Sequence, residues 1–279
     1  MRRNWKVWLC LLPISLLVAG FLLFPFLNMI YGSLQANDGT FSFTQYKTVF
    51  QDPYYKQSIA NSLKISLLST TIAMVFAVFA GYSITRLADK GNTLMVSISN
   101  MTSYFEGIPL SFSFIILLGN NGLFTLLFNQ LGFHVFGDFN LYSWLGLVVV
   151  YIYFQIPFAI ILLLPTYQAL KDEWRYASNL LGGTSWTYWT KVGIPLLLPG
   201  IFGTFTILFA NALGAYATAK ALVGSTYNLI PIQIASLISG DVFLQPNLAS
   251  AFGVLLAFIM LSSLWLNSKI TKRLRRDME

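Results

Sequence analysis

The chain is predicted to be an all-α integral membrane protein with six spanning helices, and three observations predict it. It is 56% hydrophobic and only 10% charged over 279 residues, where a soluble domain carries about 25% charged residues. Its apolar residues gather into six runs of about 20 residues, the length at which a helix crosses a bilayer. None of the runs shows the alternating polarity, in segments of roughly ten residues, that marks barrel strands.

The first run, about 7–31, follows Arg2, Arg3 and Lys6. A signal peptide starts in the same way, but this apolar region is too long and no small-residue cleavage site follows it. It is therefore read as an uncleaved helix, kinked at Pro13 and Pro25. The remaining runs cover about 58–87, 92–118, 141–164, 199–223 and 246–268. Three outer loops, about 32–57, 119–140 and 224–245, mix Gly, Asn and Asp with aromatic or apolar residues. "DGTFSFTQYKTVFQDPYY" and "NGLFTLLFNQLGFHVFGDFN" read as short helices at the headgroup level or as a lid; docking of an external partner is the second reading.

An even number of spans puts both termini on one side, and the basic ends put that side in the cytoplasm. With that alternation 13 of the 17 basic residues lie on or beside the cytoplasmic face, as the positive-inside rule expects. The net charge of +7 is thus topological and does not point to nucleic acid. Cys10, the one cysteine, permits no intramolecular disulfide and reads as a small core hydrophobe. His134 is the one histidine and reads as a loop residue, so no histidine metal cluster or Ser-His-Asp triad can form without it. The phosphate-binding pattern GxxxxGK[ST] is absent, so no nucleotide site is expected here.

The longest cytoplasmic loop, 165–198, lies between spans 4 and 5. In "LKDEWRYASNLLGG" the residues Leu170, Trp174, Ala177 and Leu181 fall at helical spacing, and Gly182 and Gly183 end that helix. Thr184 or Ser185 then caps a short helix, "WTYWTKV", which is expected to expose Trp186, Tyr188 and Trp189. Pro195 and Pro199 are expected to block continuous helix as the chain re-enters the membrane.

This loop resembles the EAA loop of permease subunits in ATP-binding-cassette importers. That motif runs Glu-Ala-Ala, three residues, Gly, nine residues, then Ile-x-Leu-Pro. Tyr176-Ala177-Ser178, Gly182 and Val192-x-Ile194-Pro195 match it in spacing, with Tyr176 in place of the Glu. Asp172 and Glu173, one turn earlier, are the nearest substitutes for that carboxylate. The resemblance covers nearly the whole chain, and within the family it is to the spermidine/putrescine, ferric-iron, phosphonate and thiamine group.

The resemblance implies the type I importer fold, with 1–279 a single transmembrane permease domain and no catalytic residues. It implies that the segment around Thr184–Thr190 is a coupling helix seated on a cytoplasmic ATPase. The implied partners are a second permease (a homologue or another copy), two ATPase subunits that use the ATP, and an extracytoplasmic solute-binding protein. No cofactor is expected on this chain. The bland alternative for the loop is a hairpin whose tryptophans rest among headgroups.

Polar residues inside the spans mark a candidate pathway, because each needs a reason to be there. Glu106, in "SYFEGIPLSFSF", falls near the middle of span 3, where a carboxylate costs about 2.5–3.5 kcal/mol on insertion scales. It either faces a watered pathway, which favours a polyamine-like cation with ferric iron or phosphonate as the alternatives, or is a structural carboxyl within the bundle. Gln155 beside Pro157 makes a second polar point in span 4. Asn211 and Tyr216 in span 5 are candidates for lining the pathway, although the small residues around them also suit plain helix packing. Lys220 either snorkels to the interface or neutralises Asp241 or a partner's acid. A secondary transporter driven by an ion gradient is the alternative class. It would need a coupling-ion site and paired repeats with broken helices, and no repeat is visible.

Overall fold

The computed structural model describes residues 5–131, 139–239 and 244–276. Arg2, Arg3, His134 and Asp241 lie outside these residues, as do the side chains of Lys6, Cys10 and Arg275. Every regular element among them is helical. In order they are α1 (Trp5–Val18), α2 (Phe24–Ser33), α3 (Thr44–Gln51), α4 (Pro53–Thr85), α5 (Asp89–Ser103), α6 (Ile108–Leu118) and α7 (Leu123–Gln130). Then come α8 (Trp144–Gln168), α9 (Asp172–Leu180), α10 (Ser185–Tyr188), α11 (Ile194–Gly214), α12 (Tyr216–Val223), α13 (Ile230–Ser239) and α14 (Pro246–Arg276). One π-helical turn, Ala19–Leu23, joins α1 to α2, and another, Trp189–Gly193, joins α10 to α11.

Six helical stretches among the described residues are long and apolar enough to span: Leu11–Ser33, Pro53–Thr85, Ile108–Phe128, Trp144–Gln168, Ser185–Gly214 and Pro246–Arg273. The count agrees with the sequence, but the third and fifth boundaries do not. Residues 92–103, expected in span 3, belong to the separate helix α5, and the spanning stretch starts only after Gly107. Span 5 begins before Pro195 and breaks at Ala215, so 199–223 is not one helix. The helix continues because Pro195 sits in the first turn of α11, where a missing N–H removes no intrahelical bond. Only Pro199 lies inside it. Short helices fall in the stretches expected as outer loops, α3 and α13 wholly and α7 overlapping the end of the third spanning stretch.

The chain divides into two compact units, Met1–Ile59 with Gln233–Ile259, and Ala60–Ile232 with Met260–Glu279. In the first, polar side chains fold the α2–α3 connection. Gln45 Nε2 donates to the Gln35 carbonyl and to Asn37 Oδ1, each at 3.0 Å, and the Tyr46 hydroxyl donates to Ser33 Oγ at 2.9 Å. Asn247 Nδ2 donates to the Ala36 carbonyl at 3.3 Å, and the Tyr55 ring meets Phe252 edge-on.

The second unit is built around α8. Tyr151, Phe154, Gln155 and Leu163 on that helix are almost wholly buried. Both α5 and α11 pack on α8, while α12 packs on α6. The stretch of α4 from Ser62 to Ala77 buries a stripe of small residues: Ser62, Ser66, Ser69, Thr70, Ala73 and Ala77. Small side chains let helices approach closely where lipid provides no hydrophobic drive. From this stripe Thr70 Oγ1 donates to Gln155 Oε1 at 2.8 Å, and Gln155 Nε2 donates to Ser69 Oγ at 3.0 Å.

Candidate functional site

The first candidate site is the hairpin between α8 and α11. α9 begins with Asp172 and Glu173, acids placed where the helix dipole favours them. It ends in a left-handed turn: the Leu181 amide donates to the Ala177 carbonyl, Gly182 has φ +79°, and the Gly183 amide donates to the Ser178 carbonyl at 2.9 Å. That arrangement satisfies carbonyls the helix leaves open and requires φ > 0 at one residue, which glycine supplies without a steric penalty. Thr184, the predicted cap, accepts from the Thr187 amide at 3.3 Å and starts the single turn Ser185–Tyr188.

The hairpin brings the two ends of the spaced motif together. Ala177 and Ser178 from α9 line one groove of ≈ 870 Å³ with Val192 and Pro195 from the return segment. Trp174 and Leu181, the apolar positions at helical spacing, line it too. Ile194 is exposed. Of the three aromatic residues expected to be exposed, only Trp186 is, at 78%. Tyr188 is 3% exposed, and Trp189 packs edge-on against Tyr82 of α4 with ring centroids 5.1 Å apart. The correction has a geometric reason. The π-helical turn from Trp189 runs into α11, so Tyr188 and Trp189 belong to the packed root of span 5. The exposed tip instead carries Leu180 and Leu181, each 89% exposed, with Tyr176 also exposed.

Residues missed by the sequence reading fasten this root. Arg86, just beyond α4, forms an ion pair with Asp172 at 3.0 Å and lies over the Tyr82 ring. Both charges are largely solvated, so the pair is worth about 0–1 kcal/mol. The Tyr167 hydroxyl at the end of α8 donates to the Val78 carbonyl at 2.6 Å. Asp172, named earlier only as a substitute for the missing Glu, is thus engaged with α4's end.

The second candidate site is where two helix breaks meet. Glu106 is not at mid-helix, as expected, but in the gap between α5 and α6, where Gly107 has φ +89° and ψ −141°. Span 5 breaks at Ala215, whose φ −71° and ψ 68° are those of an inverse γ-turn. Asn211 Nδ2 donates to Glu106 Oε2 at 3.3 Å, and the Gly107 amide donates to Thr218 Oγ1 at 3.1 Å. Ser111 Oγ donates to the Thr218 carbonyl at 3.0 Å, and the Tyr151 hydroxyl donates to the Ala215 carbonyl at 3.0 Å. Backbone groups freed by a break inside a membrane need such partners.

Glu106, Asn211 and the partly exposed Tyr216 therefore gather around the paired breaks. Gln155 does not: it is 0% exposed and both ends of its amide are bound to α4. It joins helices. Lys220 donates to Ser225 Oγ at 2.8 Å.

Comparison with known proteins places this geometry. A family model described as "Binding-protein-dependent transport system inner membrane component" matches residues 71–276, a range that holds the hairpin and both breaks. The trehalose transport system permease protein SugB of Mycobacterium tuberculosis is 27% identical over 253 residues, 87% of this chain and 86% of that protein. The sulfate transport system permease protein CysW of Escherichia coli is 24% identical over 278 residues, 98% of this chain and 91% of that one. A chain of a bacterial alginate ABC transporter, crystallised with its pentasaccharide-bound periplasmic protein, superposes with a TM-score of 0.78 at 17% identity. It covers 98% of this chain and 96% of its own. That likeness is one of fold, the type I importer permease fold. The relatives named do not single out the spermidine/putrescine, iron, phosphonate and thiamine group.

Proposed function

The chain belongs to the family of binding-protein-dependent transport system inner membrane components, and from that premise we propose that it carries a small polar solute inward as one half of a two-permease pathway. Its second half is another permease, homologous or identical. Two cytoplasmic ATPase subunits use ATP and drive the cycle, and an extracytoplasmic binding protein delivers the solute. The chain holds no cofactor of its own. It functions as one permease domain over 1–279 in a bacterial or archaeal cytoplasmic membrane, with both termini inside.

The observation that carries this reading is the closure of the spaced motif into one groove, with Ala177 and Ser178 facing Val192 and Pro195. An apolar tip, Leu180 and Leu181, stands exposed beside it. Such a surface on a solvated hairpin suits a partner's cleft. The experiment is to purify the tagged chain from the membranes of its own organism and reconstitute what comes with it. Co-purifying ATPase subunits and ATP-driven uptake are the expected result. Uptake by this chain alone under a proton or sodium gradient would replace the reading with a secondary transporter.

The paired breaks are the proposed solute contact, through Glu106, Asn211 and Tyr216. A polyamine-like cation rests on Glu106 and the subgroup resemblance, while the two relatives described are named for trehalose and sulfate. Glu106 accepts from an amide that itself remains a donor group, a combination that also suits a neutral solute. Glu106→Gln separates the two. With a cationic solute, uptake is expected to fall about tenfold at unchanged assembly, since a hydrogen bond to a charged group is worth about 1.5–3 kcal/mol against about 0.5–1.5 for a neutral one. With a neutral or anionic solute, the glutamine retains uptake.

A further inference from the structure

α14 carries an exposed stripe that lies apart from the hairpin and the paired breaks in sequence. Along α14, Leu261, Trp265, Lys269, Lys272 and Arg276 recur at spacings of three and four, which places them on one helix face. All five are exposed. The stripe changes character along its length: Leu261 and Trp265 lie within the apolar span Pro246–Arg273, and the cations gather at its end. Lys269 Nζ lies 3.8 Å from the Trp265 ring centroid, a cation–π contact that fixes the ammonium directly beyond the aromatic. Lys269, Lys272, Arg273 and Arg276 line a recess of ≈ 590 Å³. The one ion pair among the described residues is Arg86–Asp172, so none of these cations has a described acidic partner. Asp277 and Glu279 follow in the sequence and lie outside the described residues.

We propose that this stripe binds an anionic phospholipid, its phosphate held by Lys269, Lys272 and Arg276 and its acyl chain lying along Trp265 and Leu261. The orientation rule accounts for positive charge near a span's end, but not for three cations in register with an exposed tryptophan and leucine. A soluble phosphate would have no use for the apolar half of the stripe. An acidic protein surface would leave that half in lipid unrecognised. A lipid of negative headgroup matches both halves, and basic clusters at the ends of spans attract such headgroups. The proposal depends on α14 being a span, and the experiment tests that separately.

The purified full chain is placed in neutral phosphatidylcholine vesicles, and its tryptophan emission is quenched with brominated phosphatidylglycerol or brominated phosphatidylcholine at equal mole fraction. The Trp265→Phe variant isolates the Trp265 signal. Quenching of Trp265 by the anionic lipid is expected at about one-tenth the mole fraction needed for the neutral one. That preference is expected to vanish in K269Q/K272Q/R276Q and to persist in K269R/K272R/R276K, which keeps the charge. Equal quenching by both lipids overturns the proposal while leaving α14 in the bilayer. No quenching by either overturns the span as well. A preference abolished by millimolar inorganic phosphate, or unchanged in the glutamine variant, also overturns it.

Discussion

Replacing Gly182 by valine is expected to lower ATP-driven uptake at least tenfold and to weaken co-purification of ATPase subunits, while the chain still inserts and purifies. Nothing lies within 4 Å of where a Cβ at this position would stand, so the substitution acts through the backbone alone. At φ +79° an L side chain is strained by about 1–2 kcal/mol, and a β-branched one is a clear outlier. Relieving the strain rotates the turn and breaks the Gly182 and Gly183 amide bonds to Asn179 and Ser178. Leu181 would then leave the groove it lines with Val192 and Pro195, and the exposed Leu180 would move with it, away from where we propose they meet the ATPase. Gly182→Asn provides the internal control, because asparagine enters the left-handed region more readily. Uptake is expected to fall at least tenfold with valine and only a few-fold with asparagine. Equal, undiminished uptake in both would remove the hairpin from the coupling path.

The position of this hairpin was legible from the sequence because its signals are local. A glycine turn, a threonine cap and a fixed spacing to Pro195 all lie within twenty residues. Span 4 was equally plain, since an unbroken apolar run reads as helix whatever surrounds it. The aromatic residues were harder. Trp186, Tyr188 and Trp189 are neighbours in one short segment, yet only the first is exposed. Trp189 packs on Tyr82 of α4 and Tyr188 on Trp189, and what pins α9's start is Arg86, 86 residues before Asp172. No periodicity announces a pairing over that distance. Pro195 misled for a related reason: a proline stops a helix from its interior but suits its first turn, and position within the helix depends on where the helix begins. Gln155 looked like a pathway residue because it is polar and apolar residues surround it. Its partners, Ser69 and Thr70, lie on α4, 86 and 85 residues earlier in the chain, and no local pattern says which helix they meet.

Gly107→Ala is expected to be the most damaging single-methyl change within the paired breaks. At φ +89° and ψ −141° the residue occupies a region that side-chain-bearing residues enter only at a cost of about 1–3 kcal/mol. A methyl here would meet the Ala217 Cβ at 3.7 Å, an ordinary contact, so crowding contributes nothing and conformation is tested alone. To escape the strain the chain must turn the Gly107 peptide, which withdraws its N–H from Thr218 Oγ1. It also shifts the Gly107 carbonyl that accepts from the Ser111 amide at the start of α6. Both losses act on the junction that brings Glu106 to Asn211. Thr218→Val removes only the hydroxyl acceptor; the Thr218 carbonyl still accepts from Ser111. A single such bond between membrane helices averages about 0.6 kcal/mol. Thermal unfolding of the purified chain in detergent should therefore rank wild type above Thr218→Val and Thr218→Val above Gly107→Ala, with uptake in the same order and lowered more than tenfold in the last. If the valine variant proved the weaker, the hydrogen bond would be what holds the breaks together. The glycine would then merely permit a turn that the contacts between α6 and α12 impose.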